Sequence, residues 1–195
     1  MSTARICILA SGNGTNAEAI FNYFKKHSTT QVTLVLSNNP NAAVLERAKK
    51  FGIESGVFTK SEFNESDDVV NRLLSHSITH IVLAGFLWLL PKTLISAYSG
   101  KMINIHPALL PKFGGKGMYG MKIHEAVKQA GETKTGITIH EVNEHYDKGQ
   151  IIFQTSCAVL SSDTPEQIAS KIHDLEYQHY PRVIAQWVES SMNPN

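Results

Sequence analysis

Residues 5–16 have the sequence RICILASGNGTN, in which an apolar run leads directly into a glycine-rich turn. The apolar run, Arg5–Ala10, predicts a first β-strand that is buried on both faces. A helical pattern follows from Thr15 onward, so the glycines lie at the start of a helix. Glycines there allow a ligand to approach closely, and the free N–H groups of a helix start attract an anion. The stretch therefore predicts an α/β fold with an anion site, suited to phosphate, after its first strand.

The same alternation of apolar strands and amphipathic helices continues through the first half of the chain. Further strands are predicted at Gln31–Ser37, Ile53–Phe58, His80–Ala84 and Met102–Ile105, and helices at Thr15–Lys26, Asn41–Phe51, Asn64–Ser75 and Pro91–Tyr98. Near-continuous apolar strands separated by helices indicate a parallel sheet that is covered on both faces. We therefore expect an α/β fold with a doubly wound, Rossmann-like and mostly parallel sheet.

The second half of the chain departs from this pattern. A helix at Lys122–Ala130 is followed by two extended runs, Gly136–Val142 and Gln150–Val159, with only a short loop between them. Because a parallel crossover needs a dozen or more residues, these two strands are expected to pair antiparallel. Antiparallel strands are thus added to the sheet in the C-terminal part.

The start of the last helix is predicted at Thr164-Pro165-Glu166, which combines an N-cap, a proline and an acidic first turn. Pro181 is expected to restart this helix, since proline removes a helical hydrogen bond. No repeat, low-complexity tract or linker interrupts the sequence. We therefore expect one domain over residues 1–195.

The composition argues against several classes of protein. The formal net charge of +1 does not fit a general polyanion binder, which usually carries a basic stripe. The longest apolar run, Ile81–Leu90, is too short to span a bilayer. Cys7 and Cys157 have no C-x-x-C spacing and suit two buried thiols in a reducing compartment. We expect a cytoplasmic protein without nucleic-acid or membrane partners.

The glycine-rich turn also fits a second kind of ligand. Gly12, Gly14 and Ala17 satisfy the dinucleotide-binding spacing, which is a weak signal alone. A dinucleotide site needs an acidic residue at the end of the second strand to hold a ribose hydroxyl. That strand ends in Ser37–Pro40, which contains no carboxylate. A monophosphate ester is therefore favoured, while an NADP site without the acid and a plain tight turn capped by Thr15 remain open.

The segment Met102–Pro107 carries the most informative pair of side chains. Asn104 and His106 are two residues apart on a strand, so both leave the same face. They lie at the carboxyl end of a predicted parallel strand, where open α/β sheets bind their ligands. An amide and an imidazole can both stabilise an oxygen that becomes anionic during acyl transfer. The alternative, a structural histidine, is less favoured because Asn104 and His106 occur together.

The loop between the two antiparallel strands supplies a carboxylate, Asp147, and Gly149 is expected to permit a tight turn there. A carboxylate near His106 would hold its tautomer and raise its pKa, which favours the protonated imidazole. The alternative is a solvated turn residue. His140 and His145 share no metal-ligand spacing with a third residue, so no metal site is predicted.

Five short motifs together resemble the folate-dependent formyltransferase family. They are Ser-Gly-x-Gly-Thr-Asn, Leu-Ala-Gly-Phe, Asn-Ile-His-Pro-x-Leu-Leu-Pro-Lys, Thr-x-His and Asp-x-Gly, at Ser11–Asn16, Leu83–Phe86, Asn104–Lys112, Thr138–His140 and Asp147–Gly149. Their order and spacing cover almost the whole chain. The match is therefore far more specific than any single motif.

The resemblance implies an activity. Within the family, the phosphate loop and the chain length favour transfer of the formyl group of 10-formyltetrahydrofolate to the amine of glycinamide ribonucleotide, a step of purine biosynthesis. Methionyl-tRNA formyltransferases resemble longer chains, and formyltetrahydrofolate hydrolases carry a preceding domain. Another folate-dependent formyl transferase or hydrolase, an NADP-dependent oxidoreductase and a phosphosugar-binding module remain the alternatives. A monomer or homodimer acting on small molecules, with the folate as co-substrate and no metal, is expected.

The resemblance also implies roles for particular residues. The catalytic residues are expected to be Asn104, His106 and Asp147. The ribonucleotide is expected to contact Gly12, Asn13, Gly14, Thr15, Asn16, His173, Asp174, Leu175 and Glu176, with Glu176 holding the substrate ammonium. The folate is expected to contact Leu87, Trp88, Leu89, Leu90, Asn104, Asn143, Glu144, His145, Tyr146 and Asp147.

Three features of the sequence depart from the family pattern. Trp88 stands where relatives often carry arginine, so the pterin wall is expected to stack differently. Ser66 stands where a basic residue can meet the folate's glutamate tail, and Lys60 or Arg72 is the candidate substitute. The loop at residues 112–120 is longer and rich in glycine. It suits either a mobile flap over the ribonucleotide or a longer surface loop.

Overall fold

A computed structural model of the protein describes residues 3–192, so the outermost residues of the predicted domain, 1–2 and 193–195, lie outside it. Within the described range the strands are β1 Ala4–Leu9, β2 Thr30–Ser37, β3 Glu54–Val57, β4 His80–Leu83, β5 Met102–His106, β6 Lys134–Glu141 and β7 Ile151–Ala158. The helices are α1 Thr15–Phe24, α2 Ala43–Lys50, α3 Lys60–Asn64, α4 Asp68–Ser75, α5 Lys92–Ala97, α6 Met121–Gln129 and α7 Pro165–Met192.

The strands form one sheet in the order β3-β2-β1-β4-β5-β6-β7. Strands β1 to β5 pair in parallel, whereas β6 pairs antiparallel with both β5 and β7. The predicted α/β class, mostly parallel with antiparallel strands at the C-terminal side, is confirmed. The strand order reverses between β1 and β4, and in such sheets this point opens a crevice at the carboxyl ends of the strands.

Helices bury both faces of the central strands. On β1, Ile6 and Ile8 pack against α1, α2 and α7, while Cys7 and Leu9 face the opposite layer of α3, α4 and α5. Alternate residues of a strand point to opposite faces, so a strand buried on both sides needs apolar residues throughout. This requirement accounts for the continuous apolar run that begins the chain.

The helix predicted at Asn64–Ser75 is wrong in one respect, because the structure has two helices there. Helix α3 begins earlier, since the Thr59 side chain accepts the Glu62 backbone N–H and Glu62 reaches back to the Thr59 N–H. This reciprocal capping satisfies two N–H groups that a helix start otherwise leaves free. Helix α3 ends at Asn64, and α4 begins at Asp68.

Helix α7 passes through Pro181 without interruption, so the expected restart is wrong. The capping predicted for its start is present, because the Gln167 backbone N–H donates to the Thr164 hydroxyl at 3.3 Å. Buried side chains on both sides of the proline, Tyr180 and Ile184 among them, hold the helix against the sheet. The Tyr180 hydroxyl donates to the Leu83 carbonyl at 2.9 Å. These contacts offset the backbone hydrogen bond that proline removes.

Candidate active site

A cavity of about 650 Å³ opens at the carboxyl ends of the central strands. Three parts of the chain meet there: the loop between β1 and α1, the end of β5, and the loop between β6 and β7. The segments 83–90 and 115–120 and one face of α7 complete the wall. The cavity therefore lies at the switch point where doubly wound sheets bind ligands.

The start of α1 lines one end of the cavity. Gly14 precedes the helix in the left-handed conformation, with φ of 75°, and no side chain caps the helix. A Cβ on Gly14 would lie 2.5 Å from Cβ of Val44, so glycine is required by both conformation and packing. The first N–H groups of a helix have no acceptor within it. This end of the cavity therefore suits an anion.

The loop before α1 is braced by Arg47, a residue that the sequence analysis missed. Its guanidinium donates to the Asn13 backbone carbonyl at 2.7 Å and to the Asn13 Oδ1 at 3.0 Å. It also forms an ion pair with Glu18. Asn13 is thereby fixed from outside the cavity by a side chain that lies on α2.

Glu176 joins the last helix to the first. Its side chain is 4% exposed, and its Oε2 accepts from the Asn16 Nδ2 at 2.9 Å and lies 3.0 Å from the His173 Nδ1. The hydrogen bond with this carboxylate raises the pKa of His173, and burial opposes it. Glu176 and His173 line the cavity, whereas Asp174 and Leu175 do not. Asp174 is exposed, and Leu175 packs against the apolar core.

The side chain of Asn16, a residue expected to contact the ribonucleotide, is oriented by Glu176. An ionised carboxylate only accepts hydrogen bonds, so the Asn16 Nδ2 must face Glu176 and the Asn16 Oδ1 must face the other way. That Oδ1 is buried and has no hydrogen-bond partner. A bare acceptor repels a phosphate, which leaves the backbone N–H of Asn16 for the anion. Buried polar atoms of this kind normally have a partner, and a ligand's N–H or O–H would supply one.

Asn104 and His106 both point into the cavity from the end of β5. The Asn104 Nδ2 donates to the His140 Nε2 at 3.2 Å, and the His140 Nδ1 donates to the Glu141 carbonyl at 2.7 Å. His140 is 2% exposed and occurs in one of the family motifs, although no function was predicted for it. Its two bonds fix its tautomer and orient the Asn104 amide.

Asp147 reaches both imidazoles from the loop after β6. Its Oδ2 lies 3.6 Å from the His106 Nδ1, and its Oδ1 lies 3.6 Å from the His140 Nε2. The Gly115 N–H donates to the Asp147 Oδ2 at 2.8 Å. Burial acts to raise the pKa of Asp147, but the neighbouring imidazoles and the Gly115 N–H outweigh it, so the pKa lies below its ordinary value. The carboxylate is therefore ionised at neutral pH.

His106 is buried, and its Nε2 donates to the Phe113 carbonyl at 2.8 Å. Burial lowers the pKa of His106 below its ordinary value, although the Asp147 carboxylate and the Phe113 carbonyl both act to raise it. The expectation that Asp147 keeps His106 protonated is therefore corrected. The desolvation of the imidazole is the larger effect, and the ring is neutral near pH 7 in the free protein.

The turn that carries Asp147 differs from the predicted one. Asp147 itself has the left-handed conformation, with φ of 55°. Gly149 is needed instead for close packing, since a Cβ there would lie 1.6 Å from the Glu141 carbonyl oxygen. Left-handed backbone is unfavourable for a residue with a side chain, and such residues cluster at functional sites. The left-handed backbone lowers the stability of the turn and directs the Asp147 carboxylate into the cavity.

An apolar slot forms the other end of the cavity. Phe86 and Trp88 pack edge-on or tilted against Phe58 and Phe63, with ring centroids 4.8–6.5 Å apart across the cluster. Of the residues predicted for the folate, those that line the cavity are Leu87, Trp88, Leu89, Leu90, Asn104, Asn143, His145, Tyr146 and Asp147. Glu144 does not line it, because its side chain is exposed and lies 3.7 Å from His145.

The residues considered for the folate's glutamate tail lie elsewhere. Ser66 is exposed and donates to Asp68 at 2.7 Å. Arg72 lies under the β3 edge, where a Cβ on Gly56 would meet its guanidinium at 2.0 Å. Neither residue lines the cavity, nor does Lys60.

Thr138 organises the loop that follows β5. Its fully buried hydroxyl donates to the Ala108 carbonyl at 2.7 Å and accepts from the Leu110 N–H at 3.0 Å. Gln154 of β7 donates to the same hydroxyl at 2.8 Å and to the Leu110 carbonyl at 3.0 Å. These bonds fix the exit of the chain from His106. The spacing in sequence contains no signal for them.

Within residues 3–192, no group of three or more His, Cys, Asp and Glu side chains is arranged to hold a metal ion. In the same part of the chain, no helix combines the length and apolarity that crossing a membrane requires.

A helix start open to an anion, an amide beside an imidazole and an apolar slot share one cavity. Together with the fold, they make this a ligand site of the doubly wound α/β class. The chain belongs to the formyl transferase family, since the model of that family matches residues 4–184.

Individual relatives are similar over most of the chain. It is 39% identical to the phosphoribosylglycinamide formyltransferase of Bacillus subtilis over 189 residues, which are 93% of each chain. It is 37% identical over 186 residues to the chloroplastic phosphoribosylglycinamide formyltransferase of Arabidopsis thaliana, and these cover 92% of this chain and 64% of the plant protein. The crystal structure of phosphoribosylglycinamide formyltransferase from Anaplasma phagocytophilum matches with a TM-score of 0.86 at 34% identity, over 94% of this chain and 86% of that one.

Proposed function

We propose that this protein transfers the formyl group of 10-formyltetrahydrofolate to the amine of glycinamide ribonucleotide in purine biosynthesis. One observation carries the proposal: Asn104, His106 and Asp147 lie in one cavity, between an uncapped helix start and an apolar slot. A phosphorylated acceptor and a flat folate ring need these two ends, with the reacting groups between them. The similarity to the Bacillus subtilis enzyme along its length supports the same assignment.

The ribonucleotide is proposed to bind at the α1 end of the cavity. Its phosphate accepts from the N–H groups of the first helical turn, where Gly14 lets the backbone come close. The buried Oδ1 of Asn16 and the carboxylate of Glu176 face the donor groups of the substrate, its amine among them. A bound substrate would thus complete the hydrogen bonds that this end of the cavity leaves unmade.

The folate is proposed to bind at the opposite end. Its ring lies against Trp88 and the neighbouring leucines, while the turn at residues 143–147 supplies polar backbone groups. The aromatic cluster behind Trp88 holds that side chain in place. This arrangement brings the formyl-bearing N10 toward Asn104 and His106.

The transfer itself exchanges one C–N bond for another. The neutral amine attacks the formyl carbon, the carbonyl oxygen becomes anionic, and the bond from the formyl carbon to N10 breaks. The Asn104 amide donates to the developing oxyanion, which is the type of interaction that contributes most to acyl transfer. His140 serves as a positioning residue, because its Nε2 holds the Asn104 amide at 3.2 Å.

One proton moves from the amine nitrogen to N10 in the balanced reaction. His106 is neutral in the free protein and therefore able to accept that proton, and the Asp147 carboxylate 3.6 Å away stabilises the imidazolium that results. The proton then passes to N10 as the folate leaves. Asp147 also fixes the loop over His106 through the Gly115 N–H.

The proposal is tested by mixing the protein with 10-formyltetrahydrofolate and glycinamide ribonucleotide and following folate absorbance together with the mass of the acceptor. We expect a change that requires both substrates and adds one formyl group to the ribonucleotide. Deformylation without the acceptor would instead identify a hydrolase, and formylation of methionyl-tRNA alone another transferase. Hydride transfer from NADPH would identify an oxidoreductase.

We further propose that the chain works as one domain, in the cytoplasm, as a monomer or homodimer. The seven strands share one sheet, and the two cysteines of the described chain are both free thiols, as a reducing compartment requires. Sedimentation of the purified protein with and without substrates measures the oligomeric state. An assembly larger than a dimer would contradict the proposal.

A further inference from the structure

The charged side chains that line the cavity include one cation that could pair with a phosphorylated substrate. Among the described residues that line it, Lys116 is the one Lys or Arg, and the lining also includes two carboxylates, Asp147 and Glu176. A phosphate monoester carries a charge of roughly −1.5 to −2 at neutral pH. The helix start contributes only a partial positive charge. A cation beside the phosphate would balance the charge that the helix start leaves.

The other cation close to the phosphate end is already engaged. Arg47 donates to the backbone and side chain of Asn13 and forms an ion pair with Glu18. Its guanidinium braces the loop from behind and does not line the cavity. The charge of Arg47 is therefore offset by Glu18.

Lys116, in contrast, is exposed and has no hydrogen bond or ion pair within residues 3–192. Two lysines near it are engaged: Lys112 contacts Glu132 at 2.7 Å, and Lys122 donates to the Tyr119 hydroxyl at 3.2 Å. A lysine without a partner, on the wall of a cavity that lacks another Lys or Arg, has a free charge to offer a ligand.

A glycine flanks Lys116 on each side. Gly115 and Gly117 have φ of 96° and 89°, and a Cβ on either would meet nothing within 4 Å. These glycines are thus required by backbone conformation and not by packing. A bond from the Met118 N–H to the Gly115 carbonyl, at 3.1 Å, closes the turn that carries Lys116. The segment is held by the bond from the Gly115 N–H to Asp147 and by Met118, which packs on the apolar cluster around Ile123.

The position of the segment favours the ribonucleotide over the folate. Residues 115–120 lead directly into α6, which packs against α7, the helix that carries His173 and Glu176. Glu176 in turn contacts Asn16 at the phosphate end. The aromatic slot is built by other parts of the chain, with Phe86 and Trp88 packed on Phe58 and Phe63. Lys116 therefore lies on the side of the cavity where the ribonucleotide is proposed to bind.

We propose that Lys116, on the glycine-flanked segment 115–120, closes over the ribonucleotide and pairs with its phosphate. This inference rests on the proposed function and deepens it, because it names the residue that selects a phosphorylated acceptor. Lys116 acts in substrate specificity and takes no part in the transfer step. Its charge is expected to matter for the binding of phosphorylated ligands alone.

The test compares Lys116→Gln with Lys112→Gln, which removes a charge from the same loop outside the cavity. Each protein is assayed with glycinamide ribonucleotide and with the corresponding nucleoside that lacks the phosphate. We expect Lys116→Gln to raise KM for the ribonucleotide roughly 10- to 100-fold, as for loss of a charge-assisted hydrogen bond. The kcat, the KM for the folate and all values for the nucleoside should stay within about twofold. Lys112→Gln should resemble the wild type, and Lys116→Arg should recover most of the loss.

Binding of ribose 5-phosphate, measured by calorimetry, gives a second readout that does not require turnover. Weaker binding to Lys116→Gln than to Lys112→Gln supports the inference. Equal binding, an equal loss with the nucleoside, or a raised KM for the folate would each overturn it, while wild-type turnover would leave the proposed function intact. If the wild type transfers no formyl group, the proposed function is wrong, and the calorimetric comparison still decides whether Lys116 binds phosphate.

Discussion

The Asn16 amide donates to the Glu176 carboxylate at 2.9 Å across a separation of 160 residues, and so joins the first helix of the protein to the last. The bond fixes which way the Asn16 amide faces, because a carboxylate cannot donate. It leaves the Asn16 Oδ1 as a buried acceptor without a partner, on the first turn of α1, whose backbone N–H groups suit a phosphate. One buried contact thus sets the orientation of an amide in the proposed ribonucleotide site.

Replacing Glu176 with Gln should reveal this contact through the titration of His173. The carboxylate raises the pKa of His173, so the pair stabilises the fold fully below the unfolded value of about 6.5. That contribution is lost as the pH rises through the higher pKa of the folded protein. The difference in Tm between wild type and Glu176→Gln should therefore be larger at pH 5.5 than at pH 8.5. Histidine NMR should show a lower pKa for His173 in the variant.

The matched control is Glu166→Gln, which removes an exposed carboxylate from the first turn of the same helix. Its Tm should run parallel to that of the wild type across this pH range. If the Glu176→Gln curve also runs parallel, the two side chains do not share a proton-linked contact in solution.

Asn104→Ala should remove one donor to the oxyanion. We expect kcat to fall by roughly 10²–10³-fold, as at other oxyanion sites. The fold should persist, because the side chain lies at a strand end and is partly exposed to the cavity. Stopped-flow measurement of single turnovers, together with circular dichroism, checks both points. Near-normal turnover in a folded variant would remove Asn104 from the mechanism.

Asp147→Asn keeps an acceptor for the Gly115 N–H and removes the charge beside His106. The pKa of His106, already lowered by burial, should fall further because the Asp147 carboxylate acts to raise it. The imidazolium needed during transfer is then less stable, so kcat should drop by about 10²–10⁴-fold, the usual range for a lost acid–base group. Folate binding should change little, because the pterin slot is expected to use backbone groups of this loop.

The rate against pH and histidine NMR of both proteins measure this effect. An unchanged His106 titration combined with retained activity would leave Asp147 as a turn residue, and the proton transfer proposed here would be wrong.

Gly14→Ala should test the packing at the helix start, with Gly52→Ala as its control. Both glycines have left-handed backbone, with φ of 75° and 68°, but only at Gly14 would a Cβ meet a neighbour. The backbone strain should cost each variant about 1–2 kcal/mol of unfolding free energy. The contact with Val44 should cost Gly14→Ala a further 1–3 kcal/mol, roughly.

Urea unfolding measures the difference, and ribonucleotide binding should weaken in Gly14→Ala alone. Equal destabilisation of the two variants would mean that α2 yields to the added methyl group.

Much of the architecture could be predicted from local patterns. The consecutive apolar residues Ile6–Leu9 in β1, Leu34–Leu36 in β2 and Ile81–Leu83 in β4 require burial on both faces, as in a helix-covered parallel sheet. The short gap between β6 and β7 excludes a crossover and forces an antiparallel pair. Asn104 and His106 share a face because strand periodicity allows nothing else. These are consequences of backbone geometry over a few residues.

The tertiary structure decided which distant groups meet and what surrounds them. The contacts of Asp147 with His106 and His140, of Arg47 with Asn13, and of Asn16 with Glu176 each depend on how whole helices and loops pack. The protonation of His106 could not be predicted, because the carboxylate is visible in the sequence whereas the burial that outweighs it is not. Desolvation depends on every neighbour of the ring, including the loop at residues 113–115 that folds back over it. Sequence periodicity specifies the direction of a side chain. The electrostatic environment of that side chain depends on which groups pack around it in the folded protein.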